Sequence, residues 1–249
     1  MAEGEISINV GDIVNQHYKL IRQIATGERR VIFCALDTSM KQVAIKLEKS
    51  SEEQPAICIE AAILKILAGQ NHIPQFFHYG SHKNYKYLAM ELMGPNMIDL
   101  ANYKRPYKFN LHSVLKFGIQ AIETLQVVHN KGFVHRDIKP GNFLIGNTQQ
   151  TSGTFYLTGF GLCKKITKQD NMVAQLTNES TFHGSLKYAS LNAHNYVELG
   201  RNDDLMSLLY VLVEFHNGLL PWSDVEDIIQ IISISYLYLN KQLKKMKLI

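Results

Sequence analysis

The stretch that most constrains this chain is Phe133-Val134-His135-Arg136-Asp137-Ile138-Lys139-Pro140-Gly141-Asn142-Phe143. From Arg136 to Asn142 it holds an acid, two permanent cations and an amide, bracketed by Val134 and Phe143. Charges set so closely among apolar residues do not read as a plain surface turn, because a charge near a core needs a partner. The inventory suits one kind of chemistry: a carboxylate to accept a hydroxyl proton, a lysine to balance phosphate charge, and an amide to grip a metal.

Length and composition leave room for that site to be built on a sizeable core. The 249 residues, 46% hydrophobic and 19% charged, fit one large domain or two small lobes. A net charge of +4 suits an anionic ligand or an acidic partner but is too small to argue for nucleic acid. Cys34, Cys58 and Cys163 are scattered without a C-x-x-C pair and read as reduced thiols, and the ten histidines show no metal-ligand spacing. The opening Met1-Ala2-Glu3-Gly4-Glu5 lacks the apolar core of a secretory signal, and no apolar run reaches membrane-spanning length. A cytoplasmic or nuclear protein without a membrane span is expected, the cytoplasm first.

Patterning changes character partway along the chain. His17–Ala25 and Val31–Asp37 alternate as a hairpin, and Gln42–Leu47 reads as a third strand. Ala56–Ala68 carries apolar residues at helical spacing, with Glu60 among them, and Gln75–Tyr79 and Tyr85–Leu92 read as two further strands. The expectation is a five-stranded antiparallel sheet with one helix. A boundary follows near Met93-Gly94-Pro95-Asn96. Beyond it, Leu111–Lys131 predicts a long amphipathic helix using Leu111, Val114, Leu115, Ile119, Ile122, Leu125 and Val128, closed by Gly132. A second apolar helix opens at Asp203-Asp204 and runs through Phe215.

Several motifs reinforce the central stretch. His135-Arg136-Asp137 with Asn142 five residues after the Asp matches the catalytic loop H-R-D-x-x-x-x-N of protein kinases. Val43-Ala44-Ile45-Lys46 matches the strand whose lysine grips nucleotide phosphates, and Glu60 stands where its ion-pair partner belongs. Gly184-Ser185-Leu186-Lys187-Tyr188-Ala189-Ser190-Leu191-Asn192-Ala193-His194 is similar to the G-T-x-R-Y-A-S-I-N-A-H of the casein kinase 1 group. With Val10-Gly11-Asp12, Asn202-Asp203-Asp204-Leu205, Leu212-Val213-Glu214-Phe215 and Leu220-Pro221-Trp222, the chain resembles the tau-tubulin kinase-like branch of that group.

The resemblance implies an α+β, two-lobed protein-kinase fold: an N-lobe antiparallel sheet plus one helix, then a mainly helical C-lobe, C-terminally truncated. It places a tail at residues 1–9, the kinase domain at 10–222 (N-lobe 10–93, C-lobe 94–222) and a divergent segment at 223–249. ATP would bind between the lobes. Ile24, Ile32 and Ala44 would line the adenine pocket, Met90 would be its gatekeeper, and Glu91 and Leu92 would belong to the hinge. Gly27, Lys46 and Glu60 would serve the phosphates. Asp137 would be the catalytic base, Lys139 the phosphate-neutralising cation and Asn142 a metal ligand. Asp204 would buttress the catalytic loop, and Lys187 would stand where the group uses an arginine to bind an anion.

Three departures bear on activity. At the family spacing after Asn142 the D-F-G motif reads Gly159-Phe160-Gly161, so the carboxylate that holds Mg²⁺ is missing. The phosphate loop reads Ile24-Ala25-Thr26-Gly27-Glu28-Arg29-Arg30 and keeps only the middle glycine. After Trp222 the helices expected beneath the larger lobe give way to Ser223–Leu239 and a basic end, so exposed apolar surface is expected, with Ile228–Leu239 a single helix or strand. Three readings stay open: a pseudokinase with weak or absent Mg²⁺ binding, an active though weak Ser/Thr kinase, and an unstable truncated product. Each admits ATP and a protein substrate or partner.

Overall fold

The computed structural model describes residues 8–27, 29–50, 55–103, 107–166 and 185–246. They form two compact units, one of Met1–Gly94 with Ile145–Gly161 and the other of Pro95–Leu144 with Leu162–Ile249. The chain leaves the first unit after Gly94 and returns to it between Ile145 and Gly161.

The first unit is built on a sheet of six strands: β1 (Ile13–Val14), β2 (Tyr18–Thr26), β3 (Arg30–Leu36), β4 (Gln42–Lys49), β5 (Phe76–His82) and β6 (Tyr85–Glu91). Their order is β1-β2-β3-β4-β6-β5, with every neighbouring pair antiparallel. The sixth strand, β1, is two residues long, too short to show alternation in the sequence.

β4 sorts its side chains by the two-residue period of a strand. Val43, Ile45 and Leu47 join Phe33, Ala35, Tyr87 and Ala89 in the apolar core. Ala44, Lys46 and Glu48 lie on the opposite face and are also buried. That face carries helix α1 (Ala56–Ile66), which buries Ile57, Glu60, Ala61, Ile63 and Leu64. The helix ends two residues short of the expected Ala68.

The second unit is mainly helical: α2 (Met97–Asn102), α3 (Leu111–Asn130), α4 (Leu191–His194), α5 (Arg201–Asn217) and α6 (Ile228–Met246). Asn96 starts α2 by accepting the amides of Ile98 and Asp99, a local cap that the apolar pattern did not reveal. α3 starts at Asn110, whose side chain accepts the Ser113 amide. It ends at Asn130, one residue early, and Gly132 at φ +82° turns the chain into Phe133.

The apolar pattern of α3 combines two stripes. Val114, Phe117, Ala121, Leu125 and Val128 are buried, whereas Leu111, Leu115, Ile119 and Ile122 are each more than half exposed. α6 resolves the choice between helix and strand for Ile228–Leu239 in favour of helix. It buries Ile231 with Tyr210, Leu220 and Trp222. Thus Ser223 onward supplies cover for one part of this unit, while apolar side chains stay exposed on α3 (Leu115, Ile119) and on α6 itself (Ile229, Leu237). No helix among the described residues is long and apolar enough to cross a membrane.

Candidate active site

Two constellations form, one in each unit. In the first, the Lys46 ammonium pairs with the Glu60 carboxylate, and both side chains are nearly buried. Removing either partner of a pair so far from water would leave the other charge buried and uncompensated. The second oxygen of Glu60 accepts the backbone N–H of Gly159 at 3.3 Å. Gly159 has φ +81°, the left-handed region that costs most residues energy and that Asp tolerates better than most.

The residues expected around adenine are placed by the sheet register. Ala44 sits directly across from Met90, and Ile32 sits across from Lys46. The two pairs are two residues apart along β4, so they share its α1 face. Ala44 and Met90 are buried and Ile32 is half-buried, but Ile24 is 44% exposed. Ile24 is the extra residue where Gln23 pairs with Phe33 and Ala25 with Ile32, a bulge that interrupts the alternation. Leu92 follows β6 and is half-buried. The Glu91 carboxylate accepts the Gln75 amide at 3.0 Å and raises the Tyr156 pKa, an effect secondary to burial. Gly27 donates its amide to the Arg30 carbonyl at 2.7 Å, closing the turn between β2 and β3. Glu28 lies outside the described residues, and Arg29 and Arg30 are exposed.

α1 is held by contacts the motifs did not flag. Its N-cap, Pro55, offers no side-chain hydrogen bond. Instead, Glu48 of β4 accepts the Ala56 amide on one carboxylate oxygen and the Ile57 amide on the other, both at 3.2 Å. Cys58 and the Tyr79 hydroxyl lie 2.7 Å apart. Burial first, then the Cys58 contact and the Glu48 charge, push the Tyr79 pKa up to about 12.

The second constellation surrounds the loop from His135 to Asn142. Asp137 pairs with Lys139 at 2.7 Å. The Asn142 side-chain amide donates to the Asp137 carbonyl at 2.7 Å and to its carboxylate at 3.1 Å. Ser185 links the pair: its hydroxyl accepts from Lys139 at 3.0 Å and donates to Asp137 at 3.3 Å. Ser185 belongs to the stretch that carried the family resemblance, but the sequence alone did not give it this contact.

The loop's shape is imposed from beneath. Arg136 adopts φ +67°, uncommon for a residue with a side chain. Asp204, 1% exposed on α5, accepts the amides of His135 at 2.8 Å and Arg136 at 2.9 Å. His129 of α3 meets the same carboxylate at 2.8 Å. Asp203 accepts from Ser190 at 2.6 Å, Asn192 at 3.0 Å and the Gly200 amide at 2.8 Å, tying the Ser190–His194 stretch to α5.

Lys187 is already engaged. Its ammonium pairs with Glu214, and the Tyr188 hydroxyl donates to the same carboxylate at 2.6 Å. Burial, then that hydrogen bond and charge, push the Tyr188 pKa upward. An anion arriving at Lys187 would have to compete with a fixed carboxylate.

The protein-side donors do not fit a tightly held Mg²⁺. Such sites use one or two carboxylates together with phosphate oxygens and waters. Gly159 brings no side-chain ligand, and among the described residues Asn142 stands beside an Asp137 carboxylate that Lys139 and Ser185 already engage.

The protein kinase domain family matches residues 18–247. A probable serine/threonine-protein kinase of Dictyostelium discoideum is 36% identical over 241 residues, covering 96% of this chain and 49% of that protein. The chain thus spans about half the length of the curated relative it matches. By the extent of the family match and the identity to this relative, the chain belongs to the protein kinase family.

Proposed function

We propose that this chain is a nucleotide-binding kinase domain of the casein kinase 1 group, nearest the tau-tubulin kinase-like branch, in which phosphotransfer is lost or severely reduced. The observation that carries the reading is Gly159. The Lys46–Glu60 pair and the Asp137–Lys139–Asn142 set are assembled, yet the position between them in the chemistry, the metal-holding carboxylate, is a glycine bonded through its backbone to Glu60. Protein kinase domains generally use ATP with Mg²⁺ to neutralise the transferring phosphate. Here Lys46 supplies the phosphate cation, Asp137 the proton acceptor and Lys139 a second positive charge. Losing a single electrostatic stabiliser costs roughly 10²–10³ in rate, and the metal clamp is at least as important.

A second reading, a weak Ser/Thr kinase, draws support from the complete Asp137–Lys139–Asn142–Ser185 set. Melting the protein alone, with ATP and with ATP plus Mg²⁺, together with a radiolabelled transfer assay, separates the two. Expected are a rise in melting temperature with ATP that does not need Mg²⁺, and no transfer above an Asp137→Asn control. Gly159→Asp is expected to gain Mg²⁺-dependent transfer, because the left-handed backbone accepts Asp at a cost of about 1–2 kcal/mol. Mg²⁺-dependent transfer by the unmodified chain that disappears in Asp137→Asn would establish the weak kinase instead. No ATP-dependent shift on a cooperative melt would reject nucleotide binding.

A further inference from the structure

We infer that Glu48 is a positioning residue: by capping the N-terminus of α1 from β4, it sets the helix so that Glu60 meets Lys46. Lys46 and Glu48 are two residues apart on one strand, so both side chains leave the same face of the sheet. One reaches Glu60, and the other reaches the helix end one turn earlier. The strand therefore grips α1 at two points, and their separation along β4 sets the helix's height and rotation.

The chemistry of α1 requires such a partner. The first amides of a helix have no carbonyl within the helix, and their dipoles leave that end positive. Pro55 provides no side-chain cap, and the first turn of α1 contains no acidic residue. Glu48 is only 8% exposed and supplies the missing acceptor twice over, with one oxygen for each amide. A carboxylate so buried would be costly without those donors. The Cys58–Tyr79 contact holds the following residue of the helix but does not touch the two amides.

The test reads the Lys46–Glu60 pair without nucleotide, so it stands apart from the proposed function on which its biological meaning rests. Amine-reactive labelling of Lys46 is measured in the full chain, with Glu60→Gln defining the unpaired lysine. Glu48→Gln keeps the side-chain shape but turns one acceptor into a donor aimed at an amide. Lys46 labelling and amide exchange at Ala56 and Ile57 should rise roughly five- to tenfold, the scale of losing one helix cap. Core amides of Phe33 and Ile45 should be unchanged.

Pro55→Asp, placed at a backbone already in the extended conformation of an N-cap, gives α1 a cap of its own. Added to Glu48→Gln, it should return both signals close to their original values. Unchanged Lys46 labelling in Glu48→Gln overturns the inference. So does uniform acceleration across the sheet, which would mean general destabilisation, or failure of Pro55→Asp to restore the pair. ATP binding by the unmodified chain is measured separately, and its absence would count against the proposed function alone.

Discussion

Asp204→Ala should collapse the loop that carries Asp137 while leaving the loop's own residues intact. The Asp204 carboxylate, 1% exposed, receives three donors: the amides of His135 and Arg136 and the His129 ring. Each orphaned buried donor costs about 1–3 kcal/mol, and removing one partner of a buried polar cluster costs about 3–5 kcal/mol in all. The three losses share one cavity, so the smaller total is the better figure. For a chain of this length, about 2–4 °C is lost per kcal/mol, which places the expected fall in melting temperature near 10 °C. Arg136, at φ +67°, also loses one of the bonds that hold it in a left-handed conformation. The assay is a calorimetric melt combined with amide exchange at His135 and Arg136. Asp204→Asn, which keeps one acceptor, should lose roughly half as much and covers the case in which the alanine variant fails to fold. A shift within about 1 °C for Asp204→Ala, or unchanged exchange at both amides, would refute the buttressing argument.

Two further outcomes follow from the second unit. Burial lowers the His194 pKa below its ordinary 6.5, outweighing the opposing Leu186 backbone hydrogen bond. The neutral ring therefore contributes fully above about pH 6.5, and stability falls as the pH drops below that value because the unfolded chain takes up the proton first. His194→Gln should flatten part of that acid slope in melts from pH 7.5 to 5, and an unchanged slope would contradict the assignment. Ile231→Ala should cost about 2–4 kcal/mol, because the side chain is 2% exposed against Tyr210 and Trp222. Trp222 is the chain's single tryptophan, so its fluorescence should shift red as α6 loosens. Unchanged emission and stability would mean that α6 does not cover this core.

What the sequence determined by itself was the local pattern and the inventory. Alternation in β2 and β3, the strand-like runs of β4 and β6, and the helical spacing of α1 and α3 are all written in the local sequence. The family motifs came through fixed spacing, and so did the substitution at Gly159. Short pieces were not legible, because β1 and α2 depend on a two-residue ladder and an Asn96 cap rather than on a repeated apolar pattern.

Only the tertiary structure decided which of several similar residues matter. Periodicity gave α3 one broad apolar face, but packing buried Val114, Leu125 and Val128 and left Leu115, Ile119 and Ile122 exposed. Ile24 fitted the strand pattern until a bulge made it the unpaired residue. Glu48, Ser185 and His129 look like ordinary polar residues in sequence. Their roles arise because folding brings a carboxylate 3.2 Å from orphan helix amides, a hydroxyl between Asp137 and Lys139, and an imidazole 2.8 Å from Asp204. Hydrogen bonds act over about 3 Å in space, whatever the separation along the chain. Periodicity therefore exposes elements and motifs, while long-range polar partners emerge only when those elements pack.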